Sequence, residues 1–328
     1  MNNNSLGEIA EVLRQGKKVV LYPHENMDGD ALGSAVAMTI ALRKMGKVAW
    51  VYATESIPDN LKFLDKGYVT SDAEVAGEAD IAMIIDCGEL SRIGERSEVF
   101  VKAPITIALD HHRTTEAACH YNYVDPESAA TGQLTFDLLK EMEAEQDGEM
   151  GNALYAAIIT DTGRFSYSNT QKITHSIVAE LYDWGMDHEE VYQEIYESNR
   201  FQRLLVETYA MNTMEMSADG RLAMCYADRK AFEISGAEES ETEGVVGKLR
   251  AIQGVEVAAF LKERANGTIS VSLRTKKYMD AYHIAAVLGG GGHKRAAGAT
   301  LRDISLEDAR QKVRKIIENE LLQYGEFN

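Results

Sequence analysis

Four short apolar runs, KVVLYP from Lys18, KVAWVYA from Lys47, ADIAMIIDCG from Ala79 and APITIALDHH from Ala103, punctuate the first half of the chain. Elsewhere in that half the apolar residues recur at helical spacing: in DALGSAVAMTIALRKMG, where Gly46 supplies a C-cap, from Gly132 to Leu139, and from Gly151 onward. Strands alternating with helices predict a parallel sheet flanked by helices. In such sheets ligands collect beyond the carboxyl ends of the strands.

A different rhythm begins near Tyr182. The stretch DHEEVYQEIYESNRFQRLLVETY is charged and aromatic, lacks Pro and Gly, and reads as a helical connector. Beyond it RLAMCYADRKAF, VEVAAFLKER and TISVSLRTKK read as antiparallel strands, with helices at TEGVVGKLRAI, MDAYHIAAVL and LEDARQKVRKIIENELLQYG. The expected fold class is therefore α/β: an N-terminal parallel-sheet domain over residues 1–185, a helical connector over 186–215, and a smaller C-terminal α+β domain over 216–328.

Composition narrows the function. A chain of 328 residues, 45% of them hydrophobic, can bury two cores. No run approaches the roughly 18 uninterrupted apolar residues of a membrane helix. MNNNSLGE lacks the basic and apolar parts of a signal peptide, so a cytoplasmic location with no membrane partner is expected. Cys87, Cys119 and Cys225 are odd in number and without CxxC spacing, which predicts reduced thiols. A formal charge of -18 disfavours long duplex nucleic acid. It still admits a short anion, provided that metal and a few Arg or Lys residues make one pocket locally positive.

Candidate chemistry gathers at the ends of the apolar runs. HENMDGD carries His24, Asp28 and Asp30; IIDCG carries Asp86; ALDHHRT carries Asp110, His111, His112 and Arg113; IITDTGRFSY carries Asp161. Each has a structural use when taken alone. Asp28 or Asp30 can cap the following helix, Asp86 the next element, His111 can be a satisfied core histidine, and Asp161 can open a turn. Taken together they are the groups that hard or borderline divalent cations accept as ligands. Clustering such carboxylates without a cation is electrostatically unfavourable.

The HxxxDxD pattern of His24, Asp28 and Asp30, the lone Asp86 after a strand, the DHH triplet Asp110 to His112 and the late Asp161 resemble the DHH phosphoesterase superfamily in order and spacing. VSLRTKKYMDAYHIAAVLGGGGHKRAAGAT resembles the nucleotide-binding subdomain of its first subfamily, so the likeness spans nearly the whole chain. The compact length is similar to that of bacterial nanoRNases, which also dephosphorylate 3'-phosphoadenosine 5'-phosphate. This resemblance implies two Mn2+ ions, with Mg2+ or Co2+ as substitutes. His24 and Asp28 would hold the first, Asp30, His111 and Asp161 the second, and Asp86 would bridge both. Two cations about 3.5–4 Å apart activate a water and clamp the charge developing on phosphorus. The helix starting near Ala31 directs its positive end toward that phosphate. His112 is expected to donate a hydrogen bond to a phosphoryl oxygen or the leaving group, and Asp110 to orient the histidines. Arg113 either contacts phosphate or stays an exposed loop residue. Met27 stands where the family often has Pro, a change in loop stiffness that leaves every ligand in place.

The glycine run containing Gly290, Gly291 and Gly292 lets backbone approach a ligand closely, but it is neither a Walker motif nor a dinucleotide fingerprint. A flexible turn is the plain alternative. The family likeness makes it a substrate grip, with Arg274 and His293 holding a second phosphate or a base. A grip at fixed distance from the metals selects short oligonucleotides or nucleotide bisphosphates, since a long strand needs a continuous channel. The reaction so implied is hydrolysis of short oligonucleotides to mononucleotides, and of 3'-phosphoadenosine 5'-phosphate to AMP. A phosphodiesterase for cyclic dinucleotides or their linear products is the near alternative, and a non-catalytic nucleotide sensor the alternative from another class. A pyrophosphatase of the second subfamily is disfavoured because that group lacks the GGGGH signature. A homodimer is left open.

Overall fold

The computed structural model describes residues 3–112, 115, 119–217, 219–242, 244–292 and 294–326. They fall into two units, Met1–Ser198 and Asn199–Asn328. The first unit begins with α1 (Leu6–Gln15), entered through a capping box in which Ser5 and Glu8 satisfy each other's backbone amides. Six strands follow among the described residues: β1 (Lys18–Tyr22), β2 (Val48–Tyr52), β3 (Val69–Thr70), β4 (Ile81–Ile85), β5 (Ile105–Asp110) and β6 (Tyr121–Val124). They make the expected parallel sheet, in the order β3-β2-β1-β4-β5-β6. The short β3 and β6 edge strands were not signalled by apolar runs. Helices α2 (Gly29–Lys44), α3 (Ala73–Gly77) and α4 (Ser97–Phe100) connect the strands, followed by α5 (Thr131–Glu141), α6 (Gly148–Asp161), α7 (Lys172–Asp183) and α8 (His188–Tyr192).

The apolar runs are continuous because the sheet is covered on both faces. Val19 and Leu21 of β1 join a core with α1, α2, α5 and α6, whereas Val20 and Tyr22 face a second cluster with Ile93 and Phe100. Strand order reverses between β1 and β4, so the loops leaving these two strands diverge and open a crevice at their carboxyl ends.

Helices α2 and α6 pack with almost no side chain between them. A Cβ on Gly29 would lie 2.5 Å from the Thr160 hydroxyl oxygen, and one on Gly33 would run into the Ala153 carbonyl and lie 3.0 Å from Ala157 N. This contact is antiparallel, so the first turn of α2 meets the last turn of α6.

The second unit contains α9 (Phe201–Asn212), β7 (Glu215–Met216), β8 (Leu222–Ala227), α10 (Arg229–Ser235), α11 (Val245–Ala251), β9 (Val257–Glu263), β10 (Ile269–Thr275), α12 (Ala281–Val287), β11 (Gly291–Gly292), β12 (Ala296–Leu301) and α13 (Leu306–Glu326). Its sheet runs β11-β12-β10-β9-β8-β7. One expectation is corrected here: β8 and β9 pair parallel, while β9, β10 and β12 are antiparallel neighbours. The α10 and α11 helices between β8 and β9 provide the long crossover that parallel pairing requires. The stretch expected as a connector over 186–215 also divides differently. Val191 and Ile195 are buried in the first core and Val206 and Ala210 in the second, because each piece has an apolar face that needs a partner.

The α2 and α6 contact generates a prediction. Gly33→Ala should lower the melting temperature, although alanine is the better helix former by about 1 kcal/mol. The added methyl must displace α6 backbone, an overpacking that costs roughly 1–3 kcal/mol. A melting temperature that rises would show that the helices separate freely.

Candidate metal centre and active site

Three strand ends and one helix end converge on a single cluster. His24, Asp28 and Asp30 follow β1, Asp86 follows β4, and Asp110, His111 and His112 lie at the end of β5. Asp161 arrives as the last residue of α6, carried there by its packing on α2.

His24 is buried, and its Nδ1 lies 2.8 Å from the Glu25 carbonyl oxygen. A proton on Nδ1 satisfies that carbonyl and leaves Nε2 with a lone pair, 3.6 Å from Asp86 Oδ2 and 3.8 Å from Asp28 Oδ1. The segment Leu90–Arg96 braces this loop. The Arg92 carbonyl accepts from the Glu25 N–H at 2.7 Å, and buried Arg96 donates to the Tyr52 carbonyl at 2.7 Å. His111 repeats the arrangement. Its Nδ1 lies 3.2 Å from the Ser128 carbonyl oxygen, and its Nε2 faces Asp86 Oδ1 at 3.5 Å, Asp30 Oδ2 at 3.7 Å and Asp161 Oδ2 at 3.8 Å.

Both structural and chemical uses of HENMDGD are realised. Asp28 caps α2, its Oδ1 accepting from Asp30 N–H and Ala31 N–H at 3.1 Å each, and the same carboxylate stands beside His24. Asp30 is buried in the first turn of α2 and caps a different helix. Its oxygens accept from the α5 amides of Thr131 at 2.7 Å and Gly132 at 2.8 Å. Asp86 is buried with a left-handed backbone, φ 55°, a conformation that non-glycine residues adopt mostly where the surroundings impose it.

His24, Asp28 and Asp86 each offer a ligand atom within 4.8 Å of one another, and so do Asp30, His111 and Asp161, and Asp86, His111 and His112. Asp86 thus adjoins all three histidines. His112 differs from His111 in that its Nδ1 lies 2.7 Å from Asp110 Oδ1, which also accepts the His111 backbone N–H at 2.8 Å. Asp110 is buried and receives the Thr115 hydroxyl as well, which makes it the residue that orients His112.

Electrostatics mark the cluster as a cation site. Burial raises the Asp86 carboxyl well above the carboxylate range, and the charges of Asp30, Asp28 and Asp110 raise it further. Burial, with Asp161 nearby, pushes Asp30 up to about 8, and burial also raises Asp161 itself. Burial works against ionised Asp110 too, but the hydrogen bonds from His112 and Thr115 outweigh it and hold this carboxyl below its usual value. Histidine lone pairs and carboxylate oxygens pointing inward form the donor set that a divalent transition metal takes.

Some contributors carry no sequence signal. The Thr131 hydroxyl donates to Asp86 Oδ1 at 2.8 Å while its amide donates to Asp30, so one residue at the start of α5 spans both carboxylates. The Asn169 side-chain amide donates to the Asp161 carbonyl at 3.1 Å and to its Oδ2 at 3.4 Å. The remaining expected residues belong to the second unit or lie outside the description. Arg274 is half-buried on β10, and its Nη1 donates to the Leu273 carbonyl at 3.0 Å. Gly290 and Gly292 are required by pairing with β12. A Cβ on the former would lie 2.7 Å from Ala299 Cα, and one on the latter 2.6 Å from Ala297 Cα, whereas Gly291 is exposed with open space around it. Arg113 and His293 lie outside the described residues.

Raised carboxyl groups fix the sign of a pH effect. Between the ordinary carboxylate value and about 8 Asp30 of the folded metal-free chain holds a proton that the unfolded chain has lost, so it contributes less stability as pH rises through that window, and the raised carboxyls of Asp86 and Asp161 act with the same sign. Added Mn2+ replaces those protons, and the gain in melting temperature on adding it should be larger at pH 8 than at pH 6. Asp86→Asn should raise the metal-free melting temperature by roughly 2–4 °C and remove most of the Mn2+ gain. Calorimetry at both pH values checks this, and a larger gain at pH 6 would contradict it.

Comparison with known proteins agrees with this geometry. Residues 18–191 match the model of the DHH family N-terminal domain, and residues 229–319 match the DHHA1 domain. The chain is 33% identical over 97% of its length, and 94% of the other chain, to the bifunctional oligoribonuclease and PAP phosphatase NrnA of Thermus thermophilus. It is 25% identical to the cyclic-di-AMP phosphodiesterase GdpP of Geobacillus thermodenitrificans, over 94% of this chain and 48% of that one. The crystal structure of an exopolyphosphatase-related protein from Bacteroides fragilis superposes with a TM-score of 0.88 at 26% identity, covering 97% of this chain and 96% of that one. With the ligand-bearing unit and the second unit each matched to their domain models, the chain belongs to the DHH family.

Proposed function

We infer that the protein is a phosphoesterase that hydrolyses short oligonucleotides to mononucleotides and removes the 3'-phosphate of 3'-phosphoadenosine 5'-phosphate. The observation that carries this reading is the pair of ligand triads, His24 with Asp28 and Asp86 and Asp30 with His111 and Asp161, joined where His111 Nε2 faces Asp86 Oδ1 at 3.5 Å, in a chain similar along almost its whole length to an oligoribonuclease and PAP phosphatase. In this reading His24 and Asp28 would hold one Mn2+, Asp30, His111 and Asp161 would hold a second, and Asp86 would serve both. Divalent cations bound there lower the pKa of a water and polarise the phosphoryl oxygens.

The protein's own groups supply the rest. Carbonyl contacts at Nδ1 keep both ligand histidines in the tautomer that presents Nε2. Asp110 holds Nδ1–H of His112, which assigns Nε2 of that ring to a phosphoryl oxygen or to the leaving group, where it can move a proton. The N-terminus of α2 adds backbone dipoles favourable to phosphate. In the second unit, half-buried Arg274 on β10 and the glycines Gly290, Gly291 and Gly292 are the described residues assigned to substrate binding. Net charge of -18 and three free cysteines support a cytoplasmic enzyme that does not bind long duplexes.

Cyclic dinucleotide hydrolysis is the second reading, favoured by the likeness to GdpP. Turnover with Mn2+ on 5'-phosphorylated dinucleotides, 3'-phosphoadenosine 5'-phosphate, cyclic dinucleotides and a long RNA separates the readings. The first two should be consumed and the long RNA spared. Asp86→Ala should lower kcat by more than about a hundredfold, since loss of a mere outer partner already costs 10–100-fold. Tight binding of all four without product would make the protein a sensor.

A further inference from the structure

Directly after Asp161 the backbone takes three consecutive left-handed residues, Gly163 at φ 54°, Arg164 at φ 59° and Phe165 at φ 61°. Two of them carry side chains, for which this conformation is unfavourable and persists only where the surroundings impose it. Here they do. The Arg164 N–H donates to the Ile159 carbonyl at 2.8 Å, and the Ser166 and Tyr167 N–H groups both donate to the Thr162 carbonyl at 3.1 Å. The Phe165 ring lies 5.1 Å from that of His175, and the Arg164 guanidinium sits 5.1 Å above the Tyr196 ring. Asn169 closes the loop by donating to Asp161 and, at 2.9 Å, to the Ala129 carbonyl.

The product of this held turn is the position of Tyr167. A Cβ placed on Gly163 would lie 2.5 Å from both Cε1 and Cε2 of the ring, so the ring covers the Gly163 backbone with one face, and the positive φ of Gly163 favours glycine there. The residue is nonetheless 51% exposed. A large aromatic group thus rests one face on backbone and is left open to solvent, in a loop whose Asn169 donates back to Asp161. Burial does not account for that arrangement, whereas stacking does: every nucleobase offers an apolar face to such a ring, and the contact needs no charge in acidic surroundings. Tyr167 follows Asp161 by six residues, on the loop that Asn169 closes against Asp161, so a nucleotide whose phosphate meets that carboxylate has a ring of this loop within reach of its base.

We propose that the exposed ring of Tyr167, seated on Gly163 beside Asp161, is a stacking platform for a nucleobase flanking the scissile phosphate. This rests on the reading of the cluster as the site of oligonucleotide hydrolysis, and it adds a base-binding residue to that site.

Two dinucleotides with 2-aminopurine at either the 5' or the 3' position test the platform by binding alone, in Ca2+. Stacking on Tyr167 quenches the fluorescence of one of them; Tyr167→Ala should lose the quenching and Tyr167→Phe keep it. On an unlabelled dinucleotide, Tyr167→Ala should raise KM by about five- to hundredfold, the range of one base stacked on one aromatic ring, with the smaller change in kcat. An abasic analogue should bind the wild type more weakly by a similar factor, and the two losses should not add. Absence of quenching in the wild type, or quenching that survives in Tyr167→Ala, overturns the platform. Quenching without turnover by the wild type would instead retain the platform and overturn the hydrolase reading. A thermal melt of Tyr167→Phe and Tyr167→Ala separates lost stacking from lost folding.

Discussion

Asp30 and Asp86 are buried beside the half-buried Asp161, and ionising the three together without a compensating cation is electrostatically unfavourable. Much of the first unit exists to hold them against that repulsion. The α5 amides grip Asp30, the Thr131 hydroxyl grips Asp86, and Asn169 grips Asp161. Each of these bonds favours the ionised form that a divalent cation requires, while burial opposes it. The metal-free fold therefore stores an electrostatic cost at its site, a common trade of stability for function.

The repulsion can be withstood because the elements carrying the carboxylates cannot move apart easily. Gly29 and Gly33 bring α2 into backbone contact with α6, which sets the distance between the loop of Asp28 and Asp30 and the end that bears Asp161. The left-handed residues at Asp86 and after Asp161 then turn the chain sharply, so that the carboxylates point inward and the following loop stays beside them. Glycine serves a related purpose in the second unit, where Gly290 and Gly292 let β11 lie tightly on β12. That packing accounts for Gly290 and Gly292, whereas a Cβ on Gly289 or Gly291 would meet nothing.

Much of the site was legible because ligand chemistry must be spelled in residue types. Carboxylates and imidazoles placed at the ends of apolar runs identify the sheet, its crevice and six candidate ligands, and the DHH triplet adds the family. The parts that stayed hidden are those whose residues have no chemical signature of their own. Thr131 is an ordinary helix-initiating threonine until its hydroxyl is found on Asp86, and Tyr167 is one of many tyrosines until its ring is found on Gly163. The parallel pairing of β8 with β9 was hidden for a related reason: a strand's apolar pattern records which faces are buried, not the direction of its neighbour.

Sequence alone determined the α/β class of the first unit and the order of the candidate ligands along the chain, because periodicity and side-chain chemistry are local properties. Tertiary structure decided which oxygen faces which ring nitrogen, which helix Asp30 caps, where 186–215 divides and which glycines serve packing. These depend on contacts between residues far apart in the chain, and only the folded backbone, by closing those loops together, sets the distances on which hydrogen bonding and ion repulsion act.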